Sequence, residues 1–323
     1  MFWLRRAVAT AWVLCLALIA WDLRPHAAQA DLERPAPSPP APWRAPDWHP
    51  YPEGLAALPD MEGHAQRSSP RLRARAAFVY DLDADEIIVD RASDDRRPVA
   101  SLTKLVSSLA LASEDADLDA VHCVDKRFWP NRSGARSKLS TGECYTGWDL
   151  LGAALVSSDN RGAFGLQVTS GLPYGAFVER MDAVSEDLVM TQSSWADPSG
   201  LEDDNLSTAR DMARAAVAVA AHPTLSIAAS APFWRIGRVL DAETRSLRTP
   251  ATRTLFSTDR LVGRSDMQVL AGKTGYTDTA GYCFAGVVQS PGGRTLALAV
   301  LGAGRSAWRW QDVSKLIRFA DDS

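Results

Sequence analysis

The sequence predicts an α+β fold, a five-stranded antiparallel sheet flanked by helices with a mostly helical insert, and three observations carry that prediction. Two short β-rich runs, Ala76 to Tyr80 and Glu86 to Asp90, open the folded part. A long stretch from about Thr146 to Ala221 then follows helical patterning. Three more β-rich runs close the chain: Met267 to Ala271, Tyr282 to Val288 and Thr295 to Leu301. Two strands at the front and three at the back can pair in one sheet, with the helical insert packed beside it.

The chain opens on Arg5 and Arg6, an apolar stretch from Ala7 to about Trp21, and Ala28-Gln29-Ala30. A basic start, an apolar run and a small-x-small site form the pattern of an export signal. Residues 1–30 are therefore expected to be a signal peptide and the protein to be extracytoplasmic, in the periplasm. A retained inner-membrane anchor is the alternative, because the apolar run is only slightly short of the roughly 18 residues that a span requires. Nine prolines lie between Asp31 and Pro59, a composition that favours extended polyproline over a packed element. The expected organisation is a linker over 31–74 and one catalytic-size domain over 75–323. Three cysteines remain after residue 30: Cys123, Cys144 and Cys283. In an oxidising compartment Cys123 and Cys144 are the expected pair, the alternative being three buried thiols.

Within the domain, Asp83-Ala84-Asp85 has turn composition and makes the first two runs a hairpin. Leu102, Leu105, Val106, Leu109 and Ala110 are spread too widely round the wheel for a surface helix, so Ser101 to Ala112 is expected to be buried. Thr146 with Asp149, and Thr208 with Asp211, are capping signatures ahead of apolar helical runs. Ser290-Pro291-Gly292-Gly293 is a tight turn between the last two strands, and Trp308, Val313, Leu316, Ile317 and Phe319 mark a final amphipathic helix.

Composition excludes several classes of function. A net charge of −4 leaves no excess of Lys and Arg to neutralise a phosphate backbone, so no nucleic-acid partner is expected. His26, His49, His64, His122 and His222 are scattered without metal spacing, so no metal or other cofactor is expected.

Three short motifs carry chemistry: Ser101-Leu102-Thr103-Lys104, Ser158-Asp159-Asn160 and Lys273-Thr274-Gly275. A spacing of three on a helix puts the Ser101 hydroxyl and the Lys104 amine on one face. A first-turn position for Ser101 adds the positive end of the helix dipole, which favours a developing alkoxide and disfavours a charged Lys104. For Lys104 to act as base its pKa must fall from about 10.4 towards neutrality, which burial and a second cation can supply. Only five lysines occur among thirty-five basic residues, and two of the five sit in these motifs. Arginine cannot replace a lysine base, because it is not deprotonated at usable pH. Ser158-Asp159-Asn160 falls between two expected helices, where a helix cap is the plain alternative. Lys273-Thr274-Gly275 lies just past the strand ending at Ala271. There Lys273 can offer positive charge to a carboxylate and Gly275 can let backbone approach closely. An exposed turn is the plain alternative.

This ordered set is shared by penicillin-binding proteins and class A β-lactamases. Over about Arg75 to Ala320 the sequence resembles the low-molecular-weight penicillin-binding proteins, the serine D-Ala-D-Ala carboxypeptidase and endopeptidase family. Arg97-Pro98-Val99-Ala100 ahead of Ser101 resembles that family's approach to its nucleophile. Gly272 to Thr277 with Ala280-Gly281-Tyr282 resembles its third motif. Pro198-Ser199-Gly200-Leu201 followed by Asn205-Leu206-Ser207-Thr208-Ala209 resembles a stretch read here as structural. The resemblance implies a β-lactamase/DD-peptidase-like fold and a serine DD-peptidase acting on D-alanyl bonds of peptidoglycan stem peptides, with β-lactams as covalent inhibitors. It implies an acyl-enzyme on Ser101, Lys104 as proton acceptor, and Ser158 relaying a proton to the leaving amine. Asn160 would hold the substrate amide, Lys273 and Thr274 its carboxylate, and the N–H groups of Ser101 and Tyr276 the oxyanion. Ser157 to Ala163 and Gly171-Leu172-Pro173 are closer to single-domain endopeptidases, and the chain ends too soon after its last helix for the extra β-domain of two-domain carboxypeptidases.

Two rival readings stay open. A class A β-lactamase adds a carboxylate for deacylation, in a Glu-x-x-Leu-Asn context. The corresponding region here is Ser194-Trp195-Ala196-Asp197-Pro198, and Glu202 stands in no such context. A non-hydrolytic penicillin sensor would keep the acylating residues and is not excluded by the sequence.

Overall fold

In the computed structural model, residues 59–66, 68–128, 134–237 and 253–323 are described. The expected signal peptide at 1–30 and the linker from 31 to 58 lie outside the described residues. The first described strands are β1 (Ala76–Asp81) and β2 (Glu86–Arg91). Between them Asp81 Oδ1 accepts hydrogen bonds from the N–H groups of Asp83 (2.9 Å) and Ala84 (3.1 Å), so the acidic turn closes on its own side chain. A short β3 (Arg97–Pro98) leads through a 3-10 turn over Ala100–Leu102 into helix α1 (Thr103–Ala112). Strands β4 (Val121–Cys123) and β5 (Cys144–Thr146) pair antiparallel and carry the Cys123–Cys144 disulfide, while Cys283 is a buried free thiol.

Helices α2 (Gly147–Leu155), α3 (Asn160–Thr169) and α4 (Tyr174–Asp187) follow, then β6 (Leu206–Ser207), which pairs with β3. Thr146 caps α2 in a reciprocal capping box with Asp149, and Thr208 accepts from the Asp211 N–H. The latter opens α5 (Ala209–Ala221), followed by α6 (Pro223–Ala229) and by a hairpin of β7 (Phe233–Ile236) and β8 (Arg253–Phe256). The chain then forms β9 (Gln268–Thr277), β10 (Gly281–Gln289), β11 (Thr295–Ala303) and the closing helix α7 (Ser306–Asp321).

The front and back strands make one antiparallel sheet in the order β2-β1-β11-β10-β9. Both faces are covered, so its central strands are apolar throughout rather than alternating with polar residues, and β11 is buried at all nine positions. Ala76, Phe78, Tyr80, Cys283, Ala285, Ala297 and Ala299 face a core shared with α1 and α5. Ala77, Val79, Phe284, Leu298 and Val300 face Val313, Leu316 and Ile317 of α7. Helix α1 is the centre of the helical side, with residues 103–111 all buried, as the spread of its apolar positions predicts.

Two boundaries differ from expectation. The packed chain begins before Arg75: Met61 is 1 % exposed, and Arg210 of α5 donates to the carbonyls of Met61 and Gly63. Arg214, one turn on, meets Glu62 at 2.6 Å. Proline density marks where packing is disfavoured, and the segment from 59 onward carries apolar and acidic anchors that two buried arginines hold. The second difference is β9, which does not stop at Ala271. It continues through Lys273-Thr274-Gly275 to Thr277, because Gly281 to Tyr282 of β10 provide ladder partners for Thr277 and Tyr276.

Candidate active site

The three motifs converge at the β9 edge of the sheet. Val99, Ala100 and Ser101 turn sharply ahead of α1, with Ala100 in the left-handed region at φ +51°. The Val99 N–H donates to Asn205 O (3.3 Å) and Thr103 Oγ1 donates to Ala100 O (2.8 Å). Gly275 brings the β9 backbone against this turn: a Cβ there would lie 2.7 Å from Val99 O and 3.2 Å from Ser101 N. The close approach expected of Gly275 is therefore made to the turn that carries Ser101.

Lys104 is fully buried one turn further along. Its Nζ donates to Ser101 Oγ (2.8 Å), Asn160 Oδ1 (2.9 Å) and the carbonyl of Ser199 (2.6 Å). Burial pushes its pKa down to about 8, against the opposing pull of Asp197 and Asp159. Burial, one of the two causes expected from the sequence, is the largest cause of this shift. Lys273 is the second cation, and the repulsion between the two lysines is mutual; burial, Lys104 and Arg309 together hold Lys273 well below the usual lysine range.

Ser158 sits between α2 and α3 in the left-handed region at φ +58°. Lys273 Nζ donates to Ser158 Oγ (2.8 Å) and to Thr274 O (2.9 Å), so the second and third motifs are joined by a direct hydrogen bond. The geometry behind Ser158 is set by Asp159, whose carboxylate caps α3 at the N–H groups of Arg161 and Gly162. The same carboxylate accepts from Ser137 Oγ (2.7 Å) and the Lys138 N–H (2.6 Å). Asp159 is thus the helix cap foreseen as the plain reading of this motif, and the cap is what aims its two neighbours. Thr274 Oγ1 lies 2.6 Å from Thr258 Oγ1, just beyond β8. Tyr276 is half exposed at the cleft mouth, stacked on Tyr282 with ring centroids 4.2 Å apart.

Several contributors escaped sequence reasoning. Ser199 acts through its backbone carbonyl, which leaves no side-chain signature. Gly200 has φ +79°, and a Cβ there would fall 1.9 Å from Ala100 O. Asp197 organises this loop by accepting from the N–H groups of Gly200 (2.9 Å) and Glu202 (2.7 Å) and from Asn205 Nδ2 (2.8 Å). The Pro198-Ser199-Gly200-Leu201 stretch, read as structural, is the wall that holds Lys104. Arg309 of α7 donates to Cys283 O (3.1 Å) behind β9, and burial lowers its pKa to about 10. Thr258 could have been found only by its place in three dimensions.

Chemically, the arrangement offers a hydroxyl beside a buried amine of lowered pKa, a second hydroxyl bonded to a second buried lysine amine, and a backbone strand edge along them. Among the described residues no group of His, Cys, Asp and Glu has the geometry to hold a metal ion.

Comparison with known proteins agrees with this geometry. A family model described as D-alanyl-D-alanine carboxypeptidase, peptidase S11, matches residues 63–305. A D-alanyl-D-alanine endopeptidase of Escherichia coli is 28 % identical over 250 residues, 77 % of each chain. One of Pseudomonas aeruginosa is 29 % identical over 252 residues, 77 % of this chain and 78 % of that one. The solved structure of a Streptomyces DD-transpeptidase superposes with a TM-score of 0.70 at 20 % identity, covering 80 % of this chain and all of the other.

Proposed function

The chain belongs to the D-alanyl-D-alanine carboxypeptidase family, and from that premise we propose how its residues hydrolyse D-alanyl bonds of peptidoglycan. Ser101 is the nucleophile. Neutral Lys104, 2.8 Å away, takes the hydroxyl proton as Oγ attacks the carbonyl carbon of the D-alanyl bond. The N–H groups of Ser101 and Tyr276 receive the oxyanion. Ser158 relays the proton that Lys104 took from Ser101 to the departing amine, giving up its own and receiving that one, so that Lys104 is neutral again; Lys273 is bonded to the Ser158 oxygen. Expulsion of the amine leaves an ester on Ser101, which water then cleaves. Lys273 and Thr274 hold the carboxylate of the leaving residue, and a bound carboxylate restores the Lys273 proton that its burial disfavours. Asn160 keeps its amide N–H₂ for the substrate while its oxygen accepts from Lys104.

The observation that carries this reading is the buried Lys104 amine within hydrogen-bond reach of Ser101. At a pKa of about 8, about one molecule in ten has Lys104 neutral at pH 7, roughly 300-fold more than for an ordinary lysine. β-Lactams present the same carbonyl and carboxylate and are expected to acylate Ser101. Fast deacylation of that adduct is disfavoured, because both oxygens of Asp197 are already occupied by its own loop.

Between the two bond positions, the endopeptidase reading is favoured by Ser157 to Ala163 and by the names of the two relatives above. Digestion of cross-linked muropeptides with wild type and Ser101→Ala tests it. Conversion of dimers to monomers supports an endopeptidase, and release of free D-alanine from uncross-linked stems supports a carboxypeptidase. Equal outcomes for the two proteins would discard both, as would the absence of a benzylpenicillin adduct on Ser101 by intact-mass spectrometry.

A further inference from the structure

An endopeptidase faces a demand that a terminal carboxypeptidase does not. The leaving amine sits on a carbon that bears a carboxylate, as in a terminal D-alanine, but in a cross-link that carbon also bears the side chain of a diamino acid. Where an alanine would present a methyl, a run of methylenes leads to the second stem peptide and its carboxylates. A site that prefers cross-links needs an apolar surface where this side chain leaves the cleft.

The direction of exit follows from the roles proposed above, on which this inference rests. With the carbonyl between Ser101 and Tyr276 and the carboxylate at Lys273 and Thr274, the leaving residue lies towards Thr274. The Thr274 hydroxyl is in hydrogen-bond contact with that of Thr258, 2.6 Å away. Thr258 is anchored by its N–H to Val156 O (3.1 Å), just before the second motif, and Ser257 donates to Pro232 O (2.9 Å) at the start of β7. The β7–β8 hairpin is thereby fixed to the leaving-group side of the cleft.

The hairpin has two unlike faces. Trp234, Ile236 and Leu255 pack on Tyr145, Leu150 and Ala153. The opposite face carries Phe233, Arg235, Thr254 and Phe256. Phe233 and Phe256 are cross-strand partners, as are Arg235 and Thr254. Phe256 is 68 % exposed and Phe233 38 %, an apolar cross-strand pair at the end of β8 from which the chain runs on, two residues past Phe256, to the Thr258 that bonds Thr274. Aromatic pairs are ordinarily among the best buried groups of a protein, so a paired exposure beside a cleft is a surface awaiting a partner.

We propose that Phe233 and Phe256 form a shelf for the methylene side chain of the cross-linking diamino acid, with Arg235 beyond it facing the carboxylates of the second stem peptide. The shelf raises the specificity for cross-linked over terminal substrates and takes no part in acylation by small ligands.

The test compares wild type, the Phe233→Ser/Phe256→Ser double variant and Phe256→Tyr on three substrates: a cross-linked muropeptide dimer, an uncross-linked stem ending in D-alanyl-D-alanine, and benzylpenicillin. For the double variant kcat/KM on the dimer is expected to fall on the order of tenfold, mainly through KM, with the other two rates unchanged within about twofold. Phe256→Tyr, which keeps the ring, is expected to stay near wild type. A parallel loss on all three substrates, or a double variant as good as wild type on the dimer, overturns the shelf and leaves the endopeptidase reading standing. A wild type that releases D-alanine but leaves the dimer intact overturns the endopeptidase reading and the shelf with it.

Discussion

At the scale of single residues, the site depends on what surrounds one amine. Lys104 is buried with three acceptors, all neutral oxygens: the Asn160 amide, the Ser199 carbonyl and the Ser101 hydroxyl that it is proposed to activate. None of the three is a carboxylate that would lock the proton on. Its pKa is lowered to about 8, so the reactive neutral form grows as pH rises and is lost as pH falls. The second-order rate of acylation by benzylpenicillin should therefore climb about tenfold from pH 6 to pH 7 and flatten above about pH 8. A stopped-flow profile that is level across that range would remove Lys104 as base. The Ser199 carbonyl reaches Lys104 only because Gly200 lets the loop close on Ala100. Gly200→Ala would force a Cβ to 1.9 Å from Ala100 O at φ +79°. It should slow acylation by at least about tenfold and cost about 2 kcal/mol or more in urea denaturation. Ser101, Lys104, Ser158 and Lys273 were legible in the sequence because their chemistry demands particular side chains at fixed spacing. Ser199 and Gly200 were not legible as site residues, because a carbonyl and a missing Cβ act through backbone geometry that spacing does not record.

Among the elements, the one carrying the second motif is held by a loop distant from it in sequence. Ser137 and Lys138 hold Asp159, and the Cys123–Cys144 disulfide closes the 124–143 segment to which they belong. The disulfide also fixes β5, whose last residue, Thr146, caps α2, and α2 leads directly to Ser158. A crosslink spanning about twenty residues is worth about 3 kcal/mol by chain entropy. The Cys123→Ser/Cys144→Ser variant should lose stability of that order in urea denaturation and should acylate more slowly, since Ser158 keeps a positive φ only while its surroundings hold it. Loss of stability with an unchanged acylation rate would show that Asp159 holds the motif without help from the crosslinked segment. The sequence placed all five sheet strands because their β-rich runs are bounded by turn residues. It ended β9 too early, since Lys273-Thr274-Gly275 is polar and small, and only its partners on β10 make it strand. The two-residue β3 and β6 have no periodicity to detect.

Over the whole molecule, the cleft lies at one edge of the sheet, and the segment preceding β1 docks onto α5 and α7. Arg210 donates to the carbonyls of Met61 and Gly63 and also to Asp94, at 2.7 and 2.9 Å. Asp312 of α7 accepts from the N–H groups of Arg73 (2.8 Å) and Ala74 (2.7 Å), and the Leu72 and Ala74 side chains are buried beside α7. The sequence assigned this segment to the linker because its prolines and polar residues lack periodicity, whereas the anchors are single side chains answered from far along the chain. Shortening the protein to start at 75 rather than 59 removes the Met61 side chain from the core. It also leaves a buried arginine and a buried carboxylate each short of two donors or acceptors. Those losses together should lower stability by at least about 3 kcal/mol, which for a domain of this size is a fall of roughly 6–12 °C in Tm. Calorimetry of the two shortened proteins, with the benzylpenicillin acylation rate measured well below either transition, separates anchoring from catalysis. Equal Tm values would mean that the 59–74 segment rests on the domain without supporting it. An unchanged acylation rate alongside a lower Tm is the expected pair, because neither Arg210 nor Asp312 touches Ser101, Lys104 or Ser158.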